Sequence, residues 1–247
     1  FQSGDVILVR GRAHNSAAIA RIGDVDSQFS HIGIVHIDEQ GSHWMVESLI
    51  EDGAIINALG KSLDHHIVRA VLYRNRDADF AARAAKSIFD YVAASRVRGG
   101  KRILYDFSMR TDETRNLFCS KLVRLAFSQA SEGSVILPKY PTHIGRKNRD
   151  FLDRVGVATD MTFAPADIDM ESSFDLVAEW QDYRETANIR LQDFTMDKIF
   201  EWMERYNYRF EETSAIRLVS LLGRLSSHFS ESAKQTLSSV FPRVPSN

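Results

Sequence analysis

Sulfur chemistry has one place to occur in this chain: its 247 residues carry a single cysteine. That count excludes an internal disulfide framework and any multi-cysteine zinc site. It says nothing about redox compartment. Long apolar runs are missing as well, since none approaches the ~18 residues that cross a bilayer as a helix. Charge of one sign is also lacking. The 31 basic and 33 acidic residues nearly cancel, which gives no electrostatic case for nucleic acid or an anionic membrane surface. There is no internal repeat, no low-complexity tract and no signal peptide. Phe1-Gln2-Ser3-Gly4-Asp5 already reads as the lead-in to a strand. A chain trimmed from a longer precursor would look the same, so the compartment stays open.

What is present is an ordinary globular composition. The hydrophobic fraction is 44%, enough for a real core in one large domain or one domain with an appendage. The first part reads as strands: 5–9, 32–37, 43–48, 53–59 and 67–73. A short helix over 16–22, capped by Asn15 or Ser16, interrupts them. Asp38-Glu39-Gln40-Gly41-Ser42 has hairpin chemistry and joins the second and third strands. The period then changes. Phe80, Ala84, Ile88 and Tyr91 fall at helical spacing within 79–96, and Gly99-Gly100 stops that helix. Strands first and helices after argue for an α+β fold rather than alternating βαβ units. Beyond Ser131, Pro138, Pro141, Gly145 and the basic Arg146, Lys147 and Arg149 read as an exposed loop. A short helix is expected over 150–157, and 163–167 reads as a turn or extended stretch. From about Glu185 only helices are expected. Ile199, Phe200, Met203 and Tyr206 line one face, and Ala215, Leu218, Val219, Leu222 and Leu225 line a second. Ser230 caps a last helix carrying Ala233, Leu237, Val240 and Phe241. The expected division is a domain over 1–182 and a helical extension over 183–247. These amphipathic helices either pack on the core or present a surface to a partner or to lipid.

The lone cysteine sits in Leu117-Phe118-Cys119-Ser120-Lys121-Leu122-Val123-Arg124-Leu125-Ala126-Phe127. Leu122, Val123, Ala126 and Phe127 recur at helical offsets from it, which places Cys119 in a first helical turn. Unpaired N–H groups and the positive end of the helix dipole favour a thiolate there. The competing reading is a small buried hydrophobe, because free cysteines are among the most buried residues.

A thiol nucleophile needs a base, and the base needs an orienting group. His31 opens a strand in Phe29-Ser30-His31-Ile32-Gly33, where a helix N-terminus can face it, and Gly33 leaves room on the same face. Glu47 is the candidate third member. If the hairpin pairs residues whose numbers sum to 78, His31 stands directly opposite Glu47, and a slip of one residue would turn one of them to the other face. His36 and His43 flank the hairpin. His65-His66 lies in a polar loop, where a two-histidine metal site would lack a clear carboxylate spacing.

The order Gly4-Asp5-Val6-Ile7-Leu8, Ser30-His31-Ile32-Gly33-Ile34-Val35, Val46-Glu47-Ser48, Tyr105-Asp106-Phe107 and Phe118-Cys119-Ser120-Lys121-Leu122-Val123 resembles the circularly permuted papain-like hydrolases of the NlpC superfamily. The YaeF/YiiX-type branch is the nearest, and lecithin:retinol acyltransferase-like proteins share the same order. Histidine precedes cysteine here, the reverse of ordinary papain-like enzymes. The resemblance covers about residues 3–180, ending near Phe163-Ala164-Pro165-Ala166-Asp167-Ile168 and Ser173-Phe174. It implies a permuted papain-like fold, an antiparallel sheet or half-barrel packed on the cysteine helix. It also implies Cys119 as nucleophile, His31 as general base, Glu47 as the residue orienting His31, and Tyr105 and Asp106 as cleft-lining, substrate-binding residues. No metal or organic cofactor is expected. Lys121 departs from the glutamate common at that position, and a surface location is expected for it.

Three functions fit this reading. One is an amidase or peptidase that cleaves a peptide or N-acyl amide through a thioester. The second is a phospholipase or lipid acyltransferase that uses the same triad on esters, with possible membrane-surface contact through the C-terminal helices. The third is a non-catalytic binding module. An apolar groove wide enough for an acyl chain would favour lipid, and a narrow polar cleft would favour peptide.

Overall fold

A computed structural model describes residues 1–21, 27–64, 66–142, 153 and 156–208. The basic cluster Arg146, Lys147 and Arg149, most of the helix expected over 150–157, His65, and the helices expected beyond residue 208 lie outside the described residues.

The strand-then-helix order holds. The first elements are β1 (Val6–Gly11), α1 (His14–Ala20), β2 (His31–Ile37), β3 (His43–Leu49) and β4 (Gly53–Ala58). A single turn α2 (Leu59–Ser62), β5 (Ile67–Asn75) and α3 (Ala78–Arg96) follow. Next come α4 (Cys119–Ala130), a small ladder of β6 (Tyr140–Pro141) and β7 (Met161–Thr162), and a 3-10 turn over Pro165–Met170. The described part closes with β8 (Phe174–Gln181) and α5 (Thr186–Tyr206). Six strands form one sheet in the order β4-β3-β2-β1-β5-β8, antiparallel at every pairing.

Side-chain alternation splits the sheet into two faces. Val6, Leu8, Ile32, Ile34, Val46 and Val71 point to one side and pack against Ala84, Ile88, Leu122, Ala126 and Phe127 of α3 and α4. Ile7, Val9, Val35, Met45, Ile67 and Leu72 point to the other and form a smaller cluster with Leu59. Asp77 caps α3, its carboxylate accepting from the Phe80 N–H at 2.9 Å.

Two features depart from the sequence reading. The stretch over 163–167 was expected to be a turn or extended, and its second half is a 3-10 turn. More consequentially, β8 extends the sheet where no strand was expected. A bulge between Leu72 and Tyr73 breaks its register, and Leu176, Val177 and Trp180 stay about half exposed. Neither clean alternation nor burial marks the segment as a strand.

The chain after β8 returns to the core. α5 packs on α1, and Asp193 reaches the fully buried Arg10 of β1 at 2.6 Å. Gln192 donates to the Arg12 carbonyl at 3.0 Å, and Arg21 pairs with Asp197 at 2.8 Å. Arg10 is the largest fully buried side chain among the described residues. Its charge requires a partner, because an unpaired buried cation costs several kcal/mol. Asp193→Asn keeps the volume but removes the countercharge. It is expected to lower unfolding free energy by about 1–3 kcal/mol in urea denaturation, with the same m-value.

Candidate active site

Cys119 is the first residue of α4, and Phe118 is the N-cap. Among the described residues no side chain caps that terminus, so the first backbone N–H groups lack the usual side-chain acceptor. The helix end is fixed from its flanks. Ser48 of β3 donates to the Leu117 carbonyl at 2.5 Å, Leu117 N–H donates to the Leu104 carbonyl at 3.0 Å, and Ser120 Oγ donates to the Phe163 carbonyl. The loop before α4 is held equally closely. Ala54 N–H donates to the Ile103 carbonyl. Gly53, at φ +68°, lies so near that a Cβ there would stand 2.1 Å from the Ile103 oxygen. Only glycine allows this approach, which brings Leu104 and Tyr105 beside the cysteine.

His31 opens β2 and reaches the sheet end where α4 begins. Its Nε2 lies 2.8 Å from Glu47 Oε2, and the Cys119 thiol is its other side-chain partner. With Nε2 engaged by the carboxylate, Nδ1 is the nitrogen left for sulfur. Burial by itself would push the imidazole down. Hydrogen bonds to Cys119 and Glu47, together with their negative charges, outweigh it and raise His31 from 6.5 to about 10. Burial likewise pushes the Glu47 carboxyl up. Hydrogen bonds from His31, Ser62 and Asn57 and the imidazolium charge reverse that and hold it below the ordinary carboxylate range.

The strand register differs from expectation. Gly33, not His31, stands opposite Glu47, and the paired numbers sum to 80, as in Ile34 with Val46. The shift is two residues, so the face is unchanged, and His31 meets Glu47 as a diagonal neighbour. Nor does Gly33 leave open room: a Cβ there would meet the Met45 side chain at 2.4 Å.

Two residues of the site had not been picked out from the sequence. Glu47 Oε1 accepts from Asn57 Nδ2 at 3.0 Å and from Ser62 Oγ at 2.5 Å. Asn57 had a findable signal. Glu47 pairs with Ile55 on β4, so the same-face residue two further along is Asn57. Ser62, at the end of the single turn α2, had none. Ser62→Ala is expected to lower kcat about fivefold, the worth of one hydrogen bond, with KM unchanged, in steady-state kinetics.

Tyr105 is half-buried. Burial first, then the charges of Cys119 and Asp106, push its phenol well above its ordinary range, so it stays a neutral donor. Asp106 is buried and turned beneath the helix. Its Oδ2 accepts from Lys121 Nζ at 2.5 Å, and its Oδ1 accepts from the Ser108 N–H at 2.9 Å and the Ser108 hydroxyl at 2.6 Å. Lys121 is therefore not at the surface as expected. Its side chain is only 3% exposed, because the Asp106 carboxylate supplies an internal partner. A cavity of about 650 Å³ opens beside His31 and Glu47, lined also by Leu49, Asn57, Ser62 and Arg96. Neither Tyr105 nor Asp106 lines it.

A profile described as the permuted papain-like amidase enzymes YaeF/YiiX, the C92 family, matches residues 1–148. The chain belongs to this family. It is a cysteine hydrolase at that level of description. The fold agrees with a solved structure, that of metalloprotein yiiX from Escherichia coli O157:H7. The likeness has a TM-score of 0.55 and 18% identity, covering 73% of this chain and 98% of that one. No protein with a curated description matches the chain. Among the described residues of this C92 member, no group of three or more His, Cys, Asp or Glu side chains is placed to hold a metal ion.

Proposed function

We propose that this protein hydrolyses an amide bond, of a peptide or an N-acyl amide, with Cys119 as nucleophile, His31 as general base and acid, and Glu47 as the group that orients His31. The observation that carries this reading is the placement of one imidazole between the Glu47 carboxylate and the thiol of an N-terminal helical cysteine.

The chemistry follows from that arrangement. The imidazole, raised to about 10, holds the proton shared with Sγ, and the sulfur forms a bond to the carbonyl carbon. The developing oxyanion is met by backbone N–H groups at the start of α4, which no side chain among the described residues caps. The imidazolium gives its proton to the leaving nitrogen as the C–N bond breaks, which leaves a thioester on Cys119. Water then attacks, His31 takes its proton, and the C–S bond breaks to release the acid and restore the thiol. Glu47 stabilises the imidazolium throughout without becoming protonated, since its own pKa is held low. Tyr105, a neutral phenol beside the sulfur, is assigned to substrate contact. Leu191 and Phe194 of α5 are exposed by about 60%, in keeping with contact between the C-terminal helices and a membrane surface.

The test is trapping of the acyl-enzyme. Mass spectrometry of protein quenched in acid during turnover of N-acyl p-nitroanilides and muropeptides is expected to find the acyl mass on the peptide containing Cys119. An acyl group on another residue, or turnover by Cys119→Ala at the wild-type rate, would sink the reading.

A further inference from the structure

Among the described residues five carboxylates are buried: Asp5, Glu47, Asp106, Asp167 and Asp193. Four of them have a cation beside them. Asp5 is paired with Arg74 at 2.7 Å, Glu47 with His31 at 2.8 Å, Asp106 with Lys121 at 2.5 Å and Asp193 with Arg10 at 2.6 Å. Asp167 has none among the described residues. Its carboxylate takes one hydrogen bond there, at Oδ2 from the Ala164 N–H at 2.6 Å. Burial pushes its carboxyl up to about 6, the Ala164 N–H opposes that rise, and the Glu171 charge adds to it. At neutral pH the group is therefore a buried anion without a countercharge, which is costly unless something supplies one. Asp167 lines a cavity of about 350 Å³ between α1, the residues before β2, β6 and the 3-10 turn. Ile19, Phe29, Tyr140 and Met170 are apolar parts of its wall, and Arg69 and Asp169 are its other charged lining residues. Arg69 is not the missing cation. Its guanidinium is held by Glu179 at 2.7 Å and by Gln28 at 3.1 Å, over the Phe29 ring. Asp169 Oδ1 accepts from the Tyr73 hydroxyl at 2.5 Å, and the Tyr140 hydroxyl is turned to Glu171 at 2.9 Å.

We propose that this cavity binds a lysine-like alkylammonium side chain of the amide substrate, whose charge is the cation that Asp167 lacks. The proposal rests on the amidase reading above. The cavity is tied to the reacting pair at two points. Phe29 stands two residues before His31, and Ala164 follows Phe163, whose carbonyl accepts from Ser120 beside Cys119. Phe29, Tyr140 and Ala166 also pack against the apolar cluster that contains Cys119. Cys119 does not line the cavity, so the occupant is a group several bonds from the scissile carbonyl. Its chemistry follows from the wall. An apolar lining suits a methylene stem, and two carboxylates beyond it suit a charged tip. Asp167 and Asp169 each have one oxygen already engaged. A guanidinium docks best on both oxygens of one carboxylate, whereas an ammonium gives its three N–H groups singly. A metal ion is poorly served, since among the described residues no group of three or more His, Cys, Asp or Glu is placed to hold one.

The experiment is a set of acetyl-tripeptide p-nitroanilides with lysine, arginine or norleucine at each position in turn and alanine elsewhere. At one position lysine is expected to exceed norleucine in kcat/KM by at least about tenfold, the worth of a hydrogen bond to a charged group, and to exceed arginine. That lysine-to-norleucine ratio is expected to fall toward one as pH drops through about 6, because kcat/KM follows the free enzyme and lysine itself stays charged. Asp167→Asn keeps an oxygen for the Ala164 N–H and removes the charge, so it should bring the ratio near one at every pH. No position that favours lysine, a preference for arginine, or a lysine preference retained in Asp167→Asn overturns the proposal, and turnover of the norleucine substrates then leaves the amidase reading intact. If Asp167→Asn does not fold, the wild-type ratio decides, and a value unchanged as pH crosses about 6 overturns the proposal. NMR of ¹⁵N-labelled Cys119→Ala with acetyl-lysine methylamide reads the cavity without chemistry. Shifts of the Ala164 and Asp167 amide signals that acetyl-norleucine methylamide does not produce uphold the cavity even if no anilide is turned over. Equal shifts with both probes, or none with the lysine probe, overturn it.

Discussion

Replacing Cys119 with alanine is expected to lower amide hydrolysis by about three orders of magnitude or more and, at the same time, to lower the pH at which His31 titrates. The two effects have one cause. The imidazole is raised to about 10 against the opposing pull of burial, and Cys119 supplies part of that rise as hydrogen-bond partner and as charge. Removing the sulfur leaves Glu47 alone against burial. NMR titration of the His31 ring reads this directly. The wild-type midpoint is expected near 10, with Cys119→Ala below it and Glu47→Gln also below it. Identical midpoints in wild type and Cys119→Ala would mean that sulfur and imidazole are not coupled.

The pH dependence of stability follows from the same shift. The folded pKa of His31 lies above its ordinary 6.5. Its contribution is therefore complete below 6.5 and is lost as pH rises through about 10. Glu47 has the opposite sign. Its folded pKa lies below 4.5, so its contribution is present above 4.5 and is lost as pH falls through the depressed value. The wild-type protein should thus lose thermal stability between about pH 7 and 10, and Cys119→Ala should lose less over that range. Activity should fall on the alkaline side as pH passes about 10, because the leaving nitrogen then has no imidazolium to protonate it.

Lys121→Ala is expected to be the most damaging change outside the reacting groups. The side chains of Lys121 and Asp106 are 3% and 11% exposed. Removing one charge strands the other, which typically costs roughly 3–5 kcal/mol. For a chain of this size that corresponds to a Tm lower by about 10 °C, measurable by circular dichroism. Lys121→Glu is expected to be worse, because it sets a carboxylate against Asp106. The paired change Lys121→Met with Asp106→Leu removes both charges and is expected to recover much of the loss. Ser108 would still lose its acceptors, so recovery should be incomplete. If Lys121→Ala matched wild type in Tm, the pair would not be holding the loop of Tyr105 beneath the helix.

Some of the site was legible because local periodicity encodes it. Cys119 starts a helix since Leu122, Val123, Ala126 and Phe127 make one apolar face behind it, and all four are buried. His31 and Glu47 share a face since strand alternation has a period of two, so even a register misjudged by two residues left both on the same side. Lys121 was misplaced because a sequence cannot show that an aspartate fifteen residues earlier will fold beneath it. β8 was overlooked because edge strands need not alternate or be buried.

The sequence by itself determined the order of the first five strands and the two long helices after them, the helix-start cysteine and the parity that puts base and carboxylate on one face, because each depends on neighbours within a few residues. Only the tertiary structure decided the diagonal contact of His31 with Glu47, the Asn57 and Ser62 donors behind it, the buried Lys121–Asp106 pair and the cavity lined by Asp167. Those depend on how strands and loops far apart in the chain are brought into register, and it is that long-range pairing, not the local pattern, that sets which side chains touch.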